Sequence, residues 1–176
     1  MATLRAIAQL GAPVLRQQAA VITALDSPAL QELLDDMLFT LEQSSGVGIA
    51  APQVAEAQRA IIVASRPTIR YPNAPEMPAT VMLNPSFTPM SNDRHKDWEG
   101  CLSIPGIRAL VPRYTAIQVR YTDMTGALQH TELTDFPARV FQHEYDHLEG
   151  MVYLDRVEHN RDIISETEFF KLIAAR

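Results

Sequence analysis

The segment between Pro137 and Gly150 constrains this chain more than any other. It carries two histidines four residues apart, His143 and His147, and Glu144 directly follows the first. Residues four apart on an α-helix project from one face about a turn from each other, so the two imidazoles can share one ion. Proline is tolerated in the first turn of a helix and glycine is common just past its end. We therefore predict a metal-binding helix that starts at Pro137 and ends before Gly150.

The histidine pair needs a third ligand from elsewhere, because catalytic zinc sites usually combine three protein ligands with one open position. The extended motif that supplies a third histidine after His147 is absent. Glu144 can take a proton from a water molecule at such a site without binding the ion itself. Cys101 is the only cysteine, so it forms no intramolecular disulfide. From its residue type alone, Cys101 is a metal ligand, a nucleophile or a small buried side chain.

Length and composition predict one globular domain over residues 1–176. Hydrophobic residues make up 47% of the sequence and charged residues 20%, which are ordinary globular values. The net charge of −6 disfavours a nucleic-acid substrate, because phosphate backbones need a basic surface. The N-terminus lacks the apolar core of a signal peptide, and we find no apolar run long enough to span a bilayer. We expect a cytoplasmic protein without membrane contact.

A second helix is predicted from Ser27 to Leu41, with Ser27 as N-cap and Pro28 at the first helical position. One face of this helix carries apolar side chains at helical spacing: Leu30, Leu33, Leu34, Met37, Leu38 and Leu41. That pattern predicts a helix that packs on the core.

Four β-strands are predicted from runs rich in β-branched residues: Ala60 to Ala64, Val81 to Asn84, Ala116 to Thr122 and Ala127 to Leu133. The last two flank a turn from Asp123 to Gly126 and should form a hairpin. Four prolines predict a loop from Arg66 to Thr80, and a polar stretch predicts another from Ser91 to Asp97.

Three segments together resemble the peptide deformylase family, whose members remove the formyl group from N-formylmethionine at the start of new proteins. Gly46–Gln53 is similar to the family's GxGxAAxQ, Glu99–Ser103 matches EGCLS, and Gln142–His147 matches QHExDH. The resemblance extends from Gly11 to about Asp155. It implies an α+β fold in which antiparallel β-sheets surround a central metal-binding α-helix.

The resemblance also implies the roles of the site residues. The family's three metal ligands correspond to Cys101, His143 and His147. Glu144 would move the protons, while Gln53 and the backbone N–H of Leu102 would stabilise the oxyanion. The cofactor would be one divalent metal ion, with Fe(II) as the native ion and zinc, nickel or cobalt as possible substitutes. A thiolate and two imidazoles do not distinguish these ions.

The expected substrates are N-formylmethionyl peptides on nascent chains. Substrate contacts are expected at five positions: Val47, Gly48, Gly100, Arg108 and Val140. Three residues have a plainer interpretation. Val140 could be ordinary core, Arg108 a solvated surface charge, and Gln53 an exposed loop amide.

The C-terminal segment departs from the common bacterial pattern, a basic helix used for docking on the ribosome. From Asp155 to Arg176 the chain has four Lys and Arg residues against five Asp and Glu. The ribosome is a candidate partner, but this tail does not predict that docking mode. The segment would instead pack on the body of the protein or pair with another chain.

Three other functions are compatible with parts of the pattern. A deformylase-like enzyme acting on another N-formyl or N-acyl amine would have the same catalytic atoms. A structural zinc protein would need a fourth ligand, for which the remaining imidazoles are His95, His130 and His159. An HExxH endopeptidase is disfavoured by the missing third-ligand extension.

Overall fold

The computed structural model describes residues 1–175, which form three α-helices and two β-sheets. The helices are α1 (Pro28–Glu42), α2 (Asp135–Leu148) and α3 (Glu166–Ala174). Short 3-10 turns lie at Pro13–Arg16, Ala51–Val54, Tyr153–Arg156 and Asn160–Asp162. The strands are β1 (Gly48–Ala50), β2 (Ala60–Ser65), β3 (Met77–Pro89), β4 (Arg94–Cys101), β5 (Ile104–Tyr114), β6 (Ala116–Thr122), β7 (Leu128–Thr134) and β8 (Ile163–Ser165).

Both sheets are antiparallel. The larger one has the strand order β1-β2-β3-β6-β7 and the smaller one the order β4-β5-β8, so β1 and β4 are edge strands. Helix α2 packs against β1 and β2 of the larger sheet and against β5 of the smaller one. The predicted α+β architecture with a central metal-binding helix is confirmed.

Helix α1 is an amphipathic brace, as its sequence predicts. The Ser27 side chain accepts a hydrogen bond from the Leu30 N–H at 3.2 Å, and Pro28 is the first helical residue. The predicted apolar face packs on the larger sheet, with Leu38 only partly buried. The chain's N-terminal segment is tied across this helix by an ion pair between Arg5 and the buried Asp36. Packing of one apolar face stabilises such a helix more than its intrinsic propensity does.

Helix α2 starts two residues before the predicted position. Thr134 is its N-cap and Pro137 is its third residue, a place in the first turn where the missing N–H has no intrahelical partner to lose. The C-terminus is as predicted. Gly150 has φ of +71°, its N–H donates to the His147 carbonyl, and the Met151 N–H donates to the Asp146 carbonyl. This pattern of bonds closes a helix through a left-handed glycine.

The predicted hairpin is present as β6 and β7, but two expected loops were wrong and one strand was missed. The loop expected from Arg66 to Thr80 ends before Met77, where β3 begins, because Pro78 lies near the start of that strand, where a missing ladder donor is tolerated. The polar stretch expected as a loop up to Asp97 becomes strand at Arg94, since pairing with β5 supplies its backbone bonds. Strand β5 itself was not predicted, because its prolines and its glycine hide the pattern.

The C-terminal segment packs on the body of its own chain. Strand β8 pairs with β5, with Ile164 opposite Arg108, and α3 follows directly. Phe169 of α3 is buried, and its ring lies 5.8 Å from the ring of Trp98. Within residues 1–175, no helix combines the length and the apolar content needed to cross a membrane.

Candidate metal centre and active site

Cys101 and the two histidines of α2 converge, although they lie on different elements. Cys101 is the last residue of β4, and its Sγ lies 3.4 Å from Nε2 of His147. One ligand atom from each of Cys101, His143 and His147 can be chosen so that all three lie within 4.8 Å of one another. A thiol and two imidazoles at this separation form a donor set suited to a single transition-metal ion.

The orientation of His143 is set by a carboxylate that the sequence analysis did not assign. Glu99 Oε1 lies 2.8 Å from Nδ1 of His143, and both side chains are buried. If Nδ1 carries the proton and donates to Glu99, the lone pair of Nε2 faces the cluster. Carboxylate partners of this kind orient metal-binding histidines and make them more basic.

Glu99 is itself held by two buried arginines. Arg113 donates to both carboxylate oxygens, at 2.9 and 3.0 Å, and Arg139 donates to Oε2 at 2.8 Å. Burial opposes ionisation of Glu99, but the charge of Arg113 and the hydrogen bonds from His143 and Arg113 outweigh it and hold the pKa of Glu99 well below its usual range. Arg113 also donates to Asp146 of α2 at 2.6 Å. The ligand-bearing end of β4 is thereby joined to α2 and β5.

Glu144 is buried beside the cluster. It is 4% exposed, and its Oε2 has no hydrogen-bond partner among the described residues. Burial raises the pKa of Glu144 to about 7, and this rise survives the opposing charge of His143. Gly48 makes room for the carboxylate, since a Cβ built on Gly48 would lie 2.5 Å from Glu144 Oε1.

The Gln53 side chain is held by both ends of its amide. Its Oε1 accepts from the Ala50 N–H at 2.9 Å, so the NH2 group is turned towards the cluster. Nε2 lies 3.4 Å from Cys101 Sγ and 3.3 Å from Ser103 Oγ. Gln53 is 1% exposed, so the interpretation as an exposed loop amide was wrong.

One cavity of about 270 Å³ is lined by all the predicted site residues except His147, which is fully buried. Its lining includes Gln53, Cys101, Leu102, His143 and Glu144, together with the five predicted substrate contacts, Val47, Gly48, Gly100, Arg108 and Val140. Val140 also packs in the core around α2, and its contact with substrate stays a prediction. Arg108 is only 5% exposed, and the interpretation as a solvated surface charge was wrong.

The geometry does not favour a closed structural zinc site. The cluster found in residues 1–175 has three members, and the other imidazoles, His95, His130 and His159, are all exposed and lie outside it. Three ligands beside a cavity and a buried carboxylate correspond to an open, catalytic arrangement.

Comparison with known proteins assigns the family. The family model for polypeptide deformylase matches residues 4–162. Peptide deformylase 2 of Nostoc sp. is 53% identical over 167 residues, which cover 95% of this chain and 93% of that protein. The chain belongs to the polypeptide deformylase family. Peptide deformylase 1 of Nitrosomonas europaea is 42% identical over 154 residues, covering 88% of each chain.

Solved structures of deformylases agree with this assignment. The Met-Ala-Ser-bound class I type b peptide deformylase from Acinetobacter baumannii superposes with a TM-score of 0.86 at 43% identity, covering 89% of this chain and 100% of that one. The Thermotoga maritima peptide deformylase gives a TM-score of 0.78 at 33% identity, covering 89% and 99%. The chain is a metal-dependent hydrolase that removes the N-formyl group from nascent polypeptides.

The residues that support the ligands were not predicted from the sequence. Glu99 lay inside the EGCLS segment, two residues before Cys101, but received no role. A usable signal was present in α2, where Arg139 lies four residues before His143 in an otherwise apolar stretch and therefore needs a buried anion. Glu166 also lines the cavity, although it belongs to the C-terminal segment, to which no site role was assigned.

Proposed function

We propose that this chain hydrolyses the N-terminal formamide of formylmethionyl peptides and that Glu144 carries the protons. The observation that supports this proposal is the unpartnered Oε2 of Glu144, which is buried in the cavity that Cys101 and His143 of the three-residue cluster also line. An unsatisfied buried carboxylate costs stability, so its retention beside a metal cluster indicates a chemical role.

Cys101, His143 and His147 would hold one divalent ion, with Fe(II) proposed as the native ion from the family resemblance and zinc, nickel or cobalt as substitutes. When bound, the ion would make a water molecule more acidic and polarise the formyl oxygen. Glu99 contributes by fixing the ring of His143 through Nδ1.

Glu144 is suited to move a proton twice. Its burial raises the pKa above the usual range of a glutamate, which suits a group that both accepts and returns a proton. As a carboxylate it accepts a proton from the attacking water molecule, and as an acid it returns that proton to the departing amine. Formate and a peptide with a free N-terminus are the products.

Gln53 and Leu102 are proposed as the donors to the oxyanion. The Ala50 N–H holds the Gln53 amide with its NH2 towards the cluster, so little reorganisation is needed when negative charge develops. Leu102 directly follows Cys101, the proposed ligand, and lines the same cavity.

The substrate peptide is proposed to bind as an extended segment between two strand edges. Strands β1 and β4 are edge strands of different sheets, and Gly48 and Gly100 bring both into the cavity lining. The ladder between β4 and β5 shifts register between Glu99 and Cys101, which frees backbone groups around Gly100. Edge strands bind extended peptides through such groups. Val47 and Val140 supply apolar surface for the methionine side chain.

Formate release from formyl-Met-Ala by the metal-loaded protein tests the proposal, with metal content measured on the same sample. Acetyl-Met-Ala is the matched control, since it differs only in the acyl group. Release of formate with no acetate supports the proposal. Absence of formate release at full metal occupancy would overturn it, and faster release of acetate would favour the alternative of an enzyme for other N-acyl amines. Contact with the ribosome stays a prediction.

A further inference from the structure

The C-terminal helix α3 reaches the active-site cavity. Its first residue, Glu166, lines the cavity together with Arg70 and Arg108. The backbone at Glu166 is held on both sides, because β8 pairs with β5 just before it and the Ser165 side chain caps α3 by accepting from the Glu168 N–H at 3.2 Å. A residue of the C-terminal segment is therefore part of the site.

Arg108 is fixed between Glu166 and the ligand-bearing strand. Its Nη2 donates to Glu166 Oε2 at 2.7 Å, and its guanidinium carbon lies 5.6 Å from the centre of the Phe169 ring. A Cβ built on Gly100 would lie 1.4 Å from Arg108 Nη1, so the guanidinium rests directly against the backbone next to Cys101. Arg108 Nε is buried without a partner among the residues described, which leaves a donor available.

Helix α3 also contacts Arg70, another arginine of the cavity lining. The guanidinium carbon of Arg70 lies 6.0 Å from the centre of the Phe170 ring, and its Nη2 donates to Ser45 Oγ at 3.1 Å. Burial and the nearby charge of Arg108 lower the pKa of Arg70, which Glu166 partly offsets. Arg70, Arg108 and Glu166 thus form one charged group in the cavity lining, and its carboxylate comes from α3. The third arginine of the lining, Arg139, is paired with Glu99.

We propose that Glu166 is a specificity-determining residue. By pairing with Arg108, it limits the preference of this site for acidic side chains in the substrate residues that follow formylmethionine. The inference rests on the proposed deformylation of peptides. With Glu166 ionised, this group of three carries one net positive charge and favours acidic over basic substrates. Without that carboxylate, both arginines attract substrate anions, and basic side chains are repelled more strongly.

The test compares formyl-Met-Ala-Asp-amide with formyl-Met-Ala-Lys-amide, whose capped ends leave the third side chain as the only difference in charge. Glu166→Gln should increase the ratio of kcat/KM for the aspartyl over the lysyl peptide by about fivefold, given a charge removed at a partly solvated site. The change should fall in KM, with kcat unaltered. The difference in this ratio between Glu166→Gln and wild type should nearly vanish at about 1 M salt, where the screening length is ~3 Å.

Glu168→Gln on the same helix is the matched control, because Glu168 is exposed, pairs with Lys171 and lies outside the cavity lining. Glu168→Gln should keep the wild-type ratio of the two kcat/KM values. Glu166→Asp retains the charge, so its ratio should lie close to that of the wild type. A purely structural role for Glu166 would lower turnover of both peptides equally and would overturn the inference, as would an unchanged ratio. Formyl-Met-Ala-amide, which has no charged side chain, distinguishes failure of the proposed function from failure of the inference about Glu166. If the wild-type protein releases no formate from this peptide, the proposed function itself is contradicted.

Discussion

Replacing Glu99 by Gln should both destabilise the protein and weaken metal binding. Glu99 accepts hydrogen bonds from Arg113 and Arg139 and contacts Nδ1 of His143, all within a buried region. The amide keeps the shape but loses the charge and turns an NH2 donor towards at least one of these groups. The buried charges of the two arginines then lose their shared anion.

The size of the effect follows from the partners that remain. Arg113 keeps Asp146, with 2.6 Å between Nη1 and Oδ2, whereas Arg139 keeps only the carbonyls of Val111 and His95. One buried cation is left without a carboxylate. The free energy of unfolding should therefore fall by about 3 kcal/mol, the low end for a broken buried ion pair. In a chain of this size that corresponds to a fall in Tm of roughly 6–12 °C. Loss of the His143 partner should weaken metal affinity by about 10–100-fold.

Urea unfolding with a chelator present measures the first effect without the metal, and competition with a chromophoric chelator measures the second. Glu158→Gln removes a surface partner of Lys96 in the same sheet region and should leave both quantities unchanged, because that pair is exposed. Equal unfolding midpoints and metal affinities for Glu99→Gln and wild type would refute the reasoning.

Glu144→Gln should retain the metal but lower kcat by at least about 10²-fold, because the amide cannot carry the proton. Metal analysis and formate release measure the two effects. Full activity in this variant would contradict the role of Glu144. Gly48→Ala should lower kcat by about 10²-fold with normal metal content, since its Cβ would displace the Glu144 carboxylate; an unchanged kcat would refute the close approach. Hydrogen bonds from the Thr125 hydroxyl and Gln129 lower the pKa of Asp123 to about 2 from 3.8, so its stabilisation of the β6–β7 turn is complete above pH 3.8 and declines as the pH falls towards 2. As the pH falls through that window, amide hydrogen exchange at Thr125 and Ala127 should accelerate relative to exchange at amides in the strands. An unchanged relative rate would contradict the prediction.

Short-range patterns predicted the parts of the fold that depend on neighbouring residues. The cap at Ser27, the glycine after α2 and the hairpin turn at Asp123 are all determined by contacts within a few residues. The strands β4 and β5 escaped prediction for the complementary reason. Their polar residues and prolines are poor strand signals, and the strands exist because each supplies the other's backbone hydrogen bonds.

The sequence by itself determined the chemistry that this chain can perform, because the spacing of His143, Glu144 and His147 places all three on one turn of a helix. Only the tertiary structure decided which distant groups support that chemistry. His143 lies 44 residues from Glu99, and Arg108 lies 58 residues from Glu166, so neither pairing leaves a local pattern. Such contacts arise when two sheets and a central helix pack together and bury charges that must then be paired.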